Sequence, residues 1–280
     1  MKYFLKFSLL TLLILSFFKC KQPTDTLKIK EEKRKKIEII TNYGSMVFEL
    51  YNSTPLHRDN IVNLANNKAY DSLLFHRIIN EFMIQTGDPE SKNAQPKDTL
   101  GNGDAPYLVN AEFRKELFHK KGALAAARED NPKKSSSAMH FYIVQGKKFN
   151  DSLLSLAENR INKKKARAYF KNDIRKKPLI DSIQYASDHY DVLKERYNLL
   201  MDSILSIANN DKNFKSYIIP EKQREVYKSI GGTPHLDQDY TVFGQLIKGM
   251  NVLDSIASVP TNDLARPLKD VRIQSIKVIN

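Results

Sequence analysis

The 280-residue sequence contains a single cysteine, Cys20, and no tryptophan. One cysteine excludes an intramolecular disulfide, so the cysteine count says nothing about the redox compartment. The six histidines lack the HxxxH or HxH spacing that zinc sites commonly use, and His76, within an apolar run, is predicted to be buried and hydrogen-bonded. The longest apolar run is shorter than the ~20 residues that a membrane-spanning helix requires. We expect neither a metal nor a cofactor.

The formal net charge is +13, which by itself would favour a nucleic acid or an anionic membrane as a partner. The basic residues are dispersed, however, and many of them lie in two segments, 21–36 and 151–229. No nucleic-acid-binding motif accompanies them, so we expect no nucleic-acid partner. Hydrophobic residues make up 41% of the sequence, which is sufficient for a packed core.

Residues 1–20 have the pattern of an export signal, in which two lysines precede an apolar run from Phe7 to Phe18. The position of Cys20 just after this run resembles bacterial lipoprotein signals, in which the cysteine is lipidated. Lys19 stands where such signals usually have a small residue. We predict an exported protein of the cell envelope or periplasm that is anchored to a membrane through Cys20. Residues 21–36 are polar and basic and are predicted to form a flexible tether.

Periodicity predicts strands near the beginning of the chain and helices in its middle. Residues 37–51 alternate around a turn at residues 42–45, which indicates a β-hairpin. Residues 151–229 are charged and have helical periodicity. The clearest helical face consists of Tyr190, Leu193, Tyr197, Leu200, Ile204 and Ile207. Pro178 is predicted to separate two of these helices, with Asp181 as the N-cap of the second.

The most distinctive stretch of the sequence is FHRIINEFMIQTGD, residues 75–88. It closely resembles the FHRIIxxFMxQxGD block of cyclophilin-type peptidyl-prolyl cis-trans isomerases. Further matches occur at GALAAAR (122–128), MHFYIV (139–144), GGTPHLD (231–237) and YTVFGQL (240–246). The resemblance covers residues 37–150 and 230–280, so residues 151–229 are an insert.

This resemblance implies a mainly β fold, a closed eight-stranded antiparallel β-barrel capped by two helices. The insert, residues 151–229, is predicted to add an α-helical hairpin on the side of the barrel. The implied activity is cis-trans isomerisation of X-Pro bonds. The implied partners are proline-containing unfolded or folding polypeptides.

Rotation about an X-Pro bond faces a barrier of ~18–20 kcal/mol because the C–N bond is partly double. The twisted transition state loses this resonance, and its pyramidal nitrogen can accept a hydrogen bond. A catalyst therefore needs an apolar slot for the ring, a donor aimed at that nitrogen and groups that hold the acyl side. It needs no nucleophile, metal or titrating base.

The family resemblance assigns these roles to residues of this sequence. Arg77 would be the donor, and Phe82 and Gln85 would complete the catalytic set, Gln85 by bonding the substrate backbone. The slot and the peptide groove would be formed by Phe82, Met83, Ala127, Arg128, His140, Phe141, Leu236 and Tyr240. Tyr240 stands where the family commonly has histidine, and His235 stands where many members have tryptophan.

Two other functions fit the same sequence. A non-enzymatic module would hold proline-containing segments without isomerising them, and the departures from the family pattern at Ala126, His140 and Tyr240 leave room for it. A scaffold lipoprotein would act through the 151–229 insert, which is predicted to offer a surface to a protein partner. By composition alone, the apolar residues around Arg77 are ordinary core residues, and Arg77 covers apolar surface.

Overall fold

The computed structural model describes residues 33–279. The predicted export signal with Cys20, and residues 21–32 of the predicted tether, lie outside the described residues. The first strand begins at Lys36, within the predicted tether, because this residue already pairs with the second strand. No helix of the described chain is long and apolar enough to cross a membrane.

The described residues form ten strands and six α-helices. The strands are β1 (Lys36–Thr41), β2 (Gly44–Leu50), β3 (Arg77–Ile79), β4 (Met83–Thr86), β5 (Leu108–Val109), β6 (Ala123–Ala126), β7 (Ser136–Ser137), β8 (Phe141–Val144), β9 (Val242–Lys248) and β10 (Ile273–Ile279). The helices are α1 (Pro55–Asn66), α2 (Asp151–Phe170), α3 (Lys177–Asp188), α4 (Tyr190–Asn209), α5 (Glu221–Ser229) and α6 (Met250–Ala257).

Eight strands form one antiparallel sheet in the order β10-β1-β2-β9-β6-β8-β4-β3, and β5 pairs separately with β7. Within residues 33–279, the regular ladder does not join the edge strands β10 and β3. Near the beginning of these two strands, Phe75 N donates to Val271 O at 2.8 Å and Ile273 N donates to Leu73 O at 2.8 Å. The mainly β fold with eight antiparallel strands is therefore confirmed, and full closure of the barrel stays a prediction.

One face of the sheet buries the inner core. Alternation along β1 directs Ile37 and Ile39 into this core, where both are fully buried. Two helices cover it, α1 with Ile61 and α6 with Leu253 and Ile256. Complete burial of a side chain of this size contributes roughly 1.5–3 kcal/mol, so the two helices are held mainly by these contacts.

The insert contains four α-helices, so the predicted helical hairpin is wrong. Helices α2, α3 and α4 share a core made of Ala166, Phe170, Ile183, Met201, Ile204, Leu205, Ala208 and Phe214. Pro178 does not separate two helices but lies in the first turn of α3, which begins at Lys177. Proline is tolerated there because the first N–H groups of a helix have no partner within it. Asp181 consequently lies inside α3 and does not cap it.

The insert also shares a core with the rest of the domain. Leu154 and Ala157 of α2 and Tyr227 of α5 are buried in one cluster with Ile219. Three aromatic residues pack against this cluster, Phe118, Phe149 and Tyr217. Phe118 and Phe149 precede the insert in the chain, so these contacts attach α2 and α5 directly to the β-rich part of the molecule.

Candidate active site

The opposite face of the sheet carries a second apolar cluster, called the outer cluster below. Its buried members are Met83, Ala123, Ala125, Ala127, Tyr142, Val144, Leu236 and Val242, and its partly buried members are Tyr51, Ile79, Phe82, Leu117 and Tyr240. Five of the predicted site residues therefore lie together, namely Phe82, Met83, Ala127, Leu236 and Tyr240. The β6 alanines in this cluster, Ala123 and Ala125, are fully buried.

Arg77 and Gln85 lie at the edge of this cluster because they face each other across the β3–β4 ladder. Arg77 Nη1 donates a hydrogen bond to Gln85 Oε1 at 3.2 Å and lies 3.9 Å from Met83 Sδ. Burial lowers the pKa of the Arg77 guanidinium, which nevertheless remains charged at neutral pH. Among residues 33–279, Nε and Nη2 of Arg77 form no hydrogen bond, so these donors are available to a bound ligand.

Phe82 and His235 form one wall of the site. Their rings are stacked, with centroids 5.5 Å apart and an interplanar angle of 24°. The backbone holds Phe82 in place, because its carbonyl accepts hydrogen bonds from Gln145 N at 3.1 Å and Gly146 N at 3.0 Å. Burial, and then the proximity of His119, Arg160 and Lys164, lower the pKa of His235 to about 4. The His235 ring is therefore neutral at pH 7 and presents an apolar face to Phe82.

Close backbone contact positions the loop that carries His235. Gly146 has φ +64°, and a Cβ on it would lie 2.4 Å from Gly232 Cα. Any larger residue at this position would push the two segments apart. Two glycines thus bring residues 231–237 directly against the end of β8, which places His235 and Leu236 beside Phe82.

Phe141, predicted to line the proline slot, does not reach it. Its side chain is buried in the inner core and makes an edge-on contact with Tyr70, with centroids 5.4 Å apart. Successive residues of a strand point to opposite faces, so the next residue, Tyr142, occupies the slot side. Tyr142 belongs to the outer cluster and contacts Tyr240 edge-on at 5.9 Å.

A chain of buried hydrogen bonds connects Tyr142 to the insert. His119 Nε2 lies 2.9 Å from the Tyr142 hydroxyl, and His119 Nδ1 lies 2.8 Å from Asp237 Oδ1. The Tyr227 hydroxyl of α5 donates to Asp237 Oδ2 at 2.7 Å. An ionised Asp237 accepts from Nδ1–H, which leaves Nε2 to accept from the Tyr142 hydroxyl. The insert thereby helps to orient a residue at the base of the slot.

The remaining predicted residues border a cavity of about 410 Å³ on the Gln85 side of the site. Gln85, Ala127, Arg128 and His140 line it together with residues of the 101–108 loop. His140 Nε2 lies 2.5 Å from a backbone carbonyl, that of Gly103, so this ring nitrogen is the donor. The structure therefore places His140 beside the groove, with its ring fixed by the loop.

The Arg128 side chain is fixed by contacts with Asp239 and Tyr240. Its Nη2 donates to Asp239 Oδ1 at 2.9 Å, and its guanidinium lies 5.0 Å above the Tyr240 ring. The side chain thus fixes Tyr240 against the slot. The sequence resemblance assigns the backbone of Arg128, and not its side chain, to peptide binding.

His76 is buried as predicted, but the predicted hydrogen bond is wrong. Neither ring nitrogen has a partner within residues 33–279, and the ring packs edge-on against His140 at 5.4 Å. Burial, followed by the proximity of His140, lowers the pKa of His76 to about 4, so the ring is neutral. In the part of the chain that the structure describes, no group of three or more His, Cys, Asp or Glu side chains could hold a metal ion.

A family model and individual relatives both match this sequence and indicate the same family. The family model described as cyclophilin type peptidyl-prolyl cis-trans isomerase/CLD matches residues 36–166 and 144–278. A Staphylococcus aureus (strain USA300) protein with the provisional name of peptidyl-prolyl cis-trans isomerase is 30% identical over 252 residues, covering 89% of this chain and 95% of its own. A Staphylococcus saprophyticus protein with the same provisional name is 29% identical over 245 residues, covering 87% of this chain and 91% of its own.

Solved structures show the same fold. The crystal structure of a cyclophilin type peptidyl-prolyl cis-trans isomerase of Cryptosporidium parvum superposes with a TM-score of 0.51 at 19% identity, covering 88% of this chain and 98% of that one. A second structure of that protein, in the presence of the dipeptide Ala-Pro, gives a TM-score of 0.50 at 20% identity, covering 88% and 99%. From its sequence matches and its sheet, this chain belongs to the cyclophilin-type peptidyl-prolyl cis-trans isomerase family.

Proposed function

We propose that this protein accelerates X-Pro rotation in exported polypeptides, with Arg77 stabilising the twisted transition state. The nitrogen of the twisted amide gains a lone pair that the planar ground state lacks. A guanidinium N–H aimed at this lone pair interacts more strongly with the transition state than with the substrate, which lowers the barrier. The observation that carries the proposal is the arginine fixed by Gln85 at the edge of the outer cluster, with two nitrogens available.

The residues around Arg77 bind the proline ring and the substrate backbone. Phe82, Met83, Leu236 and Tyr142 form an apolar surface on which the proline ring packs. Gln85 both orients Arg77 and offers its amide to the substrate backbone. Because one charged donor acts in a partly dry site, its hydrogen bond is stronger than a neutral one in water. No group has to gain or lose a proton during the reaction.

The sheet acts in this proposal as a closed barrel. The hydrogen bonds that join residues 72–75 to residues 271–273 support closure, as does the bridge between Leu74 and Arg272. A closed sheet holds β3 and β4 at fixed positions, and therefore keeps Arg77 aimed at the slot. Measured amide exchange of Phe75 and Ile273 as slow as that of the inner strands would support closure, and rapid exchange would contradict it.

An apolar slot alone would also suit a non-enzymatic binding module, so the test must separate binding from catalysis. We expect the purified chain to accelerate cis-trans exchange of an Ala-Pro peptide, measured by exchange NMR without a coupled protease. The Phe82→Ala variant should lose affinity and rate together, since it empties the slot. If the wild-type chain binds the peptide but leaves its exchange rate unchanged, the protein is a binding module.

We further propose that the protein is exported and anchored through a lipid on Cys20. The basis is the apolar run that ends just before this cysteine. Metabolic labelling with palmitate should mark the wild-type protein and leave Cys20→Ser unlabelled. Equal labelling of both proteins, or no labelling of the wild type, would contradict anchoring.

The insert is proposed to offer a surface to a protein partner as well. Large apolar side chains of the insert remain exposed, including Ile174 between α2 and α3 at 86%, and Val192 at 79% and Leu199 at 69% on α4. Crosslinking in cells should yield adducts that disappear when these side chains are replaced by serine. Unchanged adducts would place the partner elsewhere.

A further inference from the structure

A second cavity lies on the other side of the slot, where the insert meets the β-rich part of the molecule. It has a volume of about 380 Å³ and is called the insert cavity here. Its apolar surface comes from Ile161, Ala168 and Phe214. Four lysines also line it, and they come from three separate segments, Lys134 from a loop, Lys164 and Lys165 from α2, and Lys215 from the residues after α4.

Two residues connect the insert cavity to the slot. His235 lines the cavity, and the same ring is stacked on Phe82 of the slot. Asp239 also lines the cavity and binds Arg128, whose guanidinium covers the Tyr240 ring. A polypeptide with its proline against Phe82 would therefore pass close to the insert cavity.

The charges in the insert cavity are not balanced. Its lining contains two carboxylates, and one of them, Asp237, is turned inward to His119 and Tyr227. The other, Asp239, has three cationic partners, Arg128 Nη2 at 2.9 Å, Lys134 Nζ at 2.8 Å and Lys164 Nζ at 3.0 Å. Arg128 also pairs with Asp130 Oδ1 at 3.2 Å, but Asp239 alone faces both Lys134 and Lys164, so positive charge remains.

Two further lysines add to this excess. Lys165 and Lys215 form no ion pair within the described residues 33–279, and both are exposed at the cavity. The arrangement suits a ligand that brings its own carboxylate and an apolar stem. It disfavours the basic tether of this chain, residues 21–36, whose lysines would repel those of the cavity.

We propose that the insert cavity is a subsite for an acidic side chain of the client polypeptide, close in sequence to the proline held in the slot. This inference rests on the proposed isomerase function. The carboxylate would pair with Lys165 and Lys215 and compete with Asp239 for Lys134 and Lys164. The apolar surface at Ile161 and Phe214 would contact the methylene groups of the acidic side chain.

The test compares peptides that differ only in charge around one Ala-Pro unit, with Glu, Gln or Lys at each of the two positions before and after it. Affinity is measured by fluorescence anisotropy of labelled peptides, and kcat/KM by exchange NMR, each at 50 mM and 500 mM salt. Exposed lysine–carboxylate pairs are weak, so we expect about a 3- to 10-fold preference for Glu over Gln at one position in low salt. The preference should nearly vanish in high salt.

Charge reversal identifies the residues involved. Lys165→Glu and Lys215→Glu are at exposed positions, so both variants should fold, and each should abolish or invert the preference for Glu. Lys194→Glu, on α4 outside the cavity lining, makes the same change in net charge and should retain the preference. Equal loss in all three variants would show a general effect of net charge and overturn the subsite.

The two readouts separate this inference from the proposed function. Isomerisation without any dependence on peptide charge would overturn the subsite and leave the isomerase function standing. A Glu preference in affinity that Lys165→Glu removes, in a protein that does not change exchange rates, would support the subsite and contradict catalysis.

Discussion

The β-rich part of the molecule and the insert differ in how their residues are used. In strands β4, β6, β8 and β9, alternation gives an inner face that stabilises the fold and an outer face that contributes to the slot. The insert instead has its own core within α2, α3 and α4 and touches the site at only a few points. Contacts through Asp237, His235 and Asp239 link the insert to the slot. This difference shows that the sheet and the loops next to it build the slot, whereas the insert supports it from one side.

The largest loss of stability is expected from a substitution at the contact between the insert and the sheet. Asp237 is buried and accepts hydrogen bonds from His119 N at 3.0 Å, from His119 Nδ1 and from the Tyr227 hydroxyl. Asp237→Ala would leave these buried donors without an acceptor, which should lower the free energy of unfolding by about 3–5 kcal/mol. Urea denaturation at constant pH measures this loss.

Asp254→Ala provides the matched control for Asp237→Ala. Asp254 also pairs with a basic residue, Lys121, but its side chain is 43% exposed. Its removal should change the free energy of unfolding by less than about 1 kcal/mol. Similar losses in the two variants would mean that Asp237 does not join the insert to the sheet.

A change of intermediate size in the free energy of unfolding is expected when the pH is lowered. The pKa values of His76 and His235 are lowered to about 4 in the folded protein, mainly by burial. Between about pH 6.5 and 4 the unfolded chain therefore binds protons that the folded chain does not. Stability present at pH 7 should be lost across this window, by about 1–3 kcal/mol for each histidine.

Urea denaturation at pH 7, 5.5 and 4.5 follows this loss. His76 reports on the sheet, and His235 reports on the wall between slot and insert cavity. His235→Gln should reduce the slope of stability against pH by about one proton. An unchanged slope in this variant would contradict the neutral, buried state of His235.

The smallest effect is expected at Tyr142. Tyr142→Phe keeps the aromatic ring in the slot and removes only the hydroxyl that His119 contacts at 2.9 Å. We expect a loss of about 1 kcal/mol in stability and less than a threefold change in kcat/KM. Tyr185→Phe, at an exposed position of α3, should change neither quantity. A tenfold fall in kcat/KM for Tyr142→Phe would mean that the hydroxyl takes part in the chemistry.

The sequence was informative where a pattern is local. The block at residues 75–88 predicted that Arg77, Phe82, Met83 and Gln85 lie together, because β3 and β4 are joined by a short turn and their ladder fixes the pairing. The helical period from Tyr190 onward likewise predicted α4. The periodicity of a strand or helix depends only on residues close together in the chain, so it can be recognised in a single sequence.

Features that depend on distant segments were missed or misplaced. The sequence predicts Phe141 at the slot, whereas the structure places Tyr142 there, because a run of apolar residues gives no indication of which strand face is outward. The partners of Asp237 come from positions 119 and 227, and no spacing connects them before the fold is known. The insert cavity takes its lysines from three segments for the same reason, so composition showed only an unexplained positive charge.

The proposed stabilisation of the twisted transition state depends on Arg77, and the Arg77→Ala variant tests it most directly. A donor that acts only near the twisted state predicts that kcat/KM falls by ~10²-fold, about 2.7 kcal/mol, while peptide affinity changes less than about threefold. Arg77→Lys should also be impaired, since an ammonium does not reproduce the planar guanidinium. Exchange NMR and peptide anisotropy on the folded variants give the two numbers. If affinity and kcat/KM fall by the same factor, Arg77 only binds substrate, and the transition-state role is contradicted.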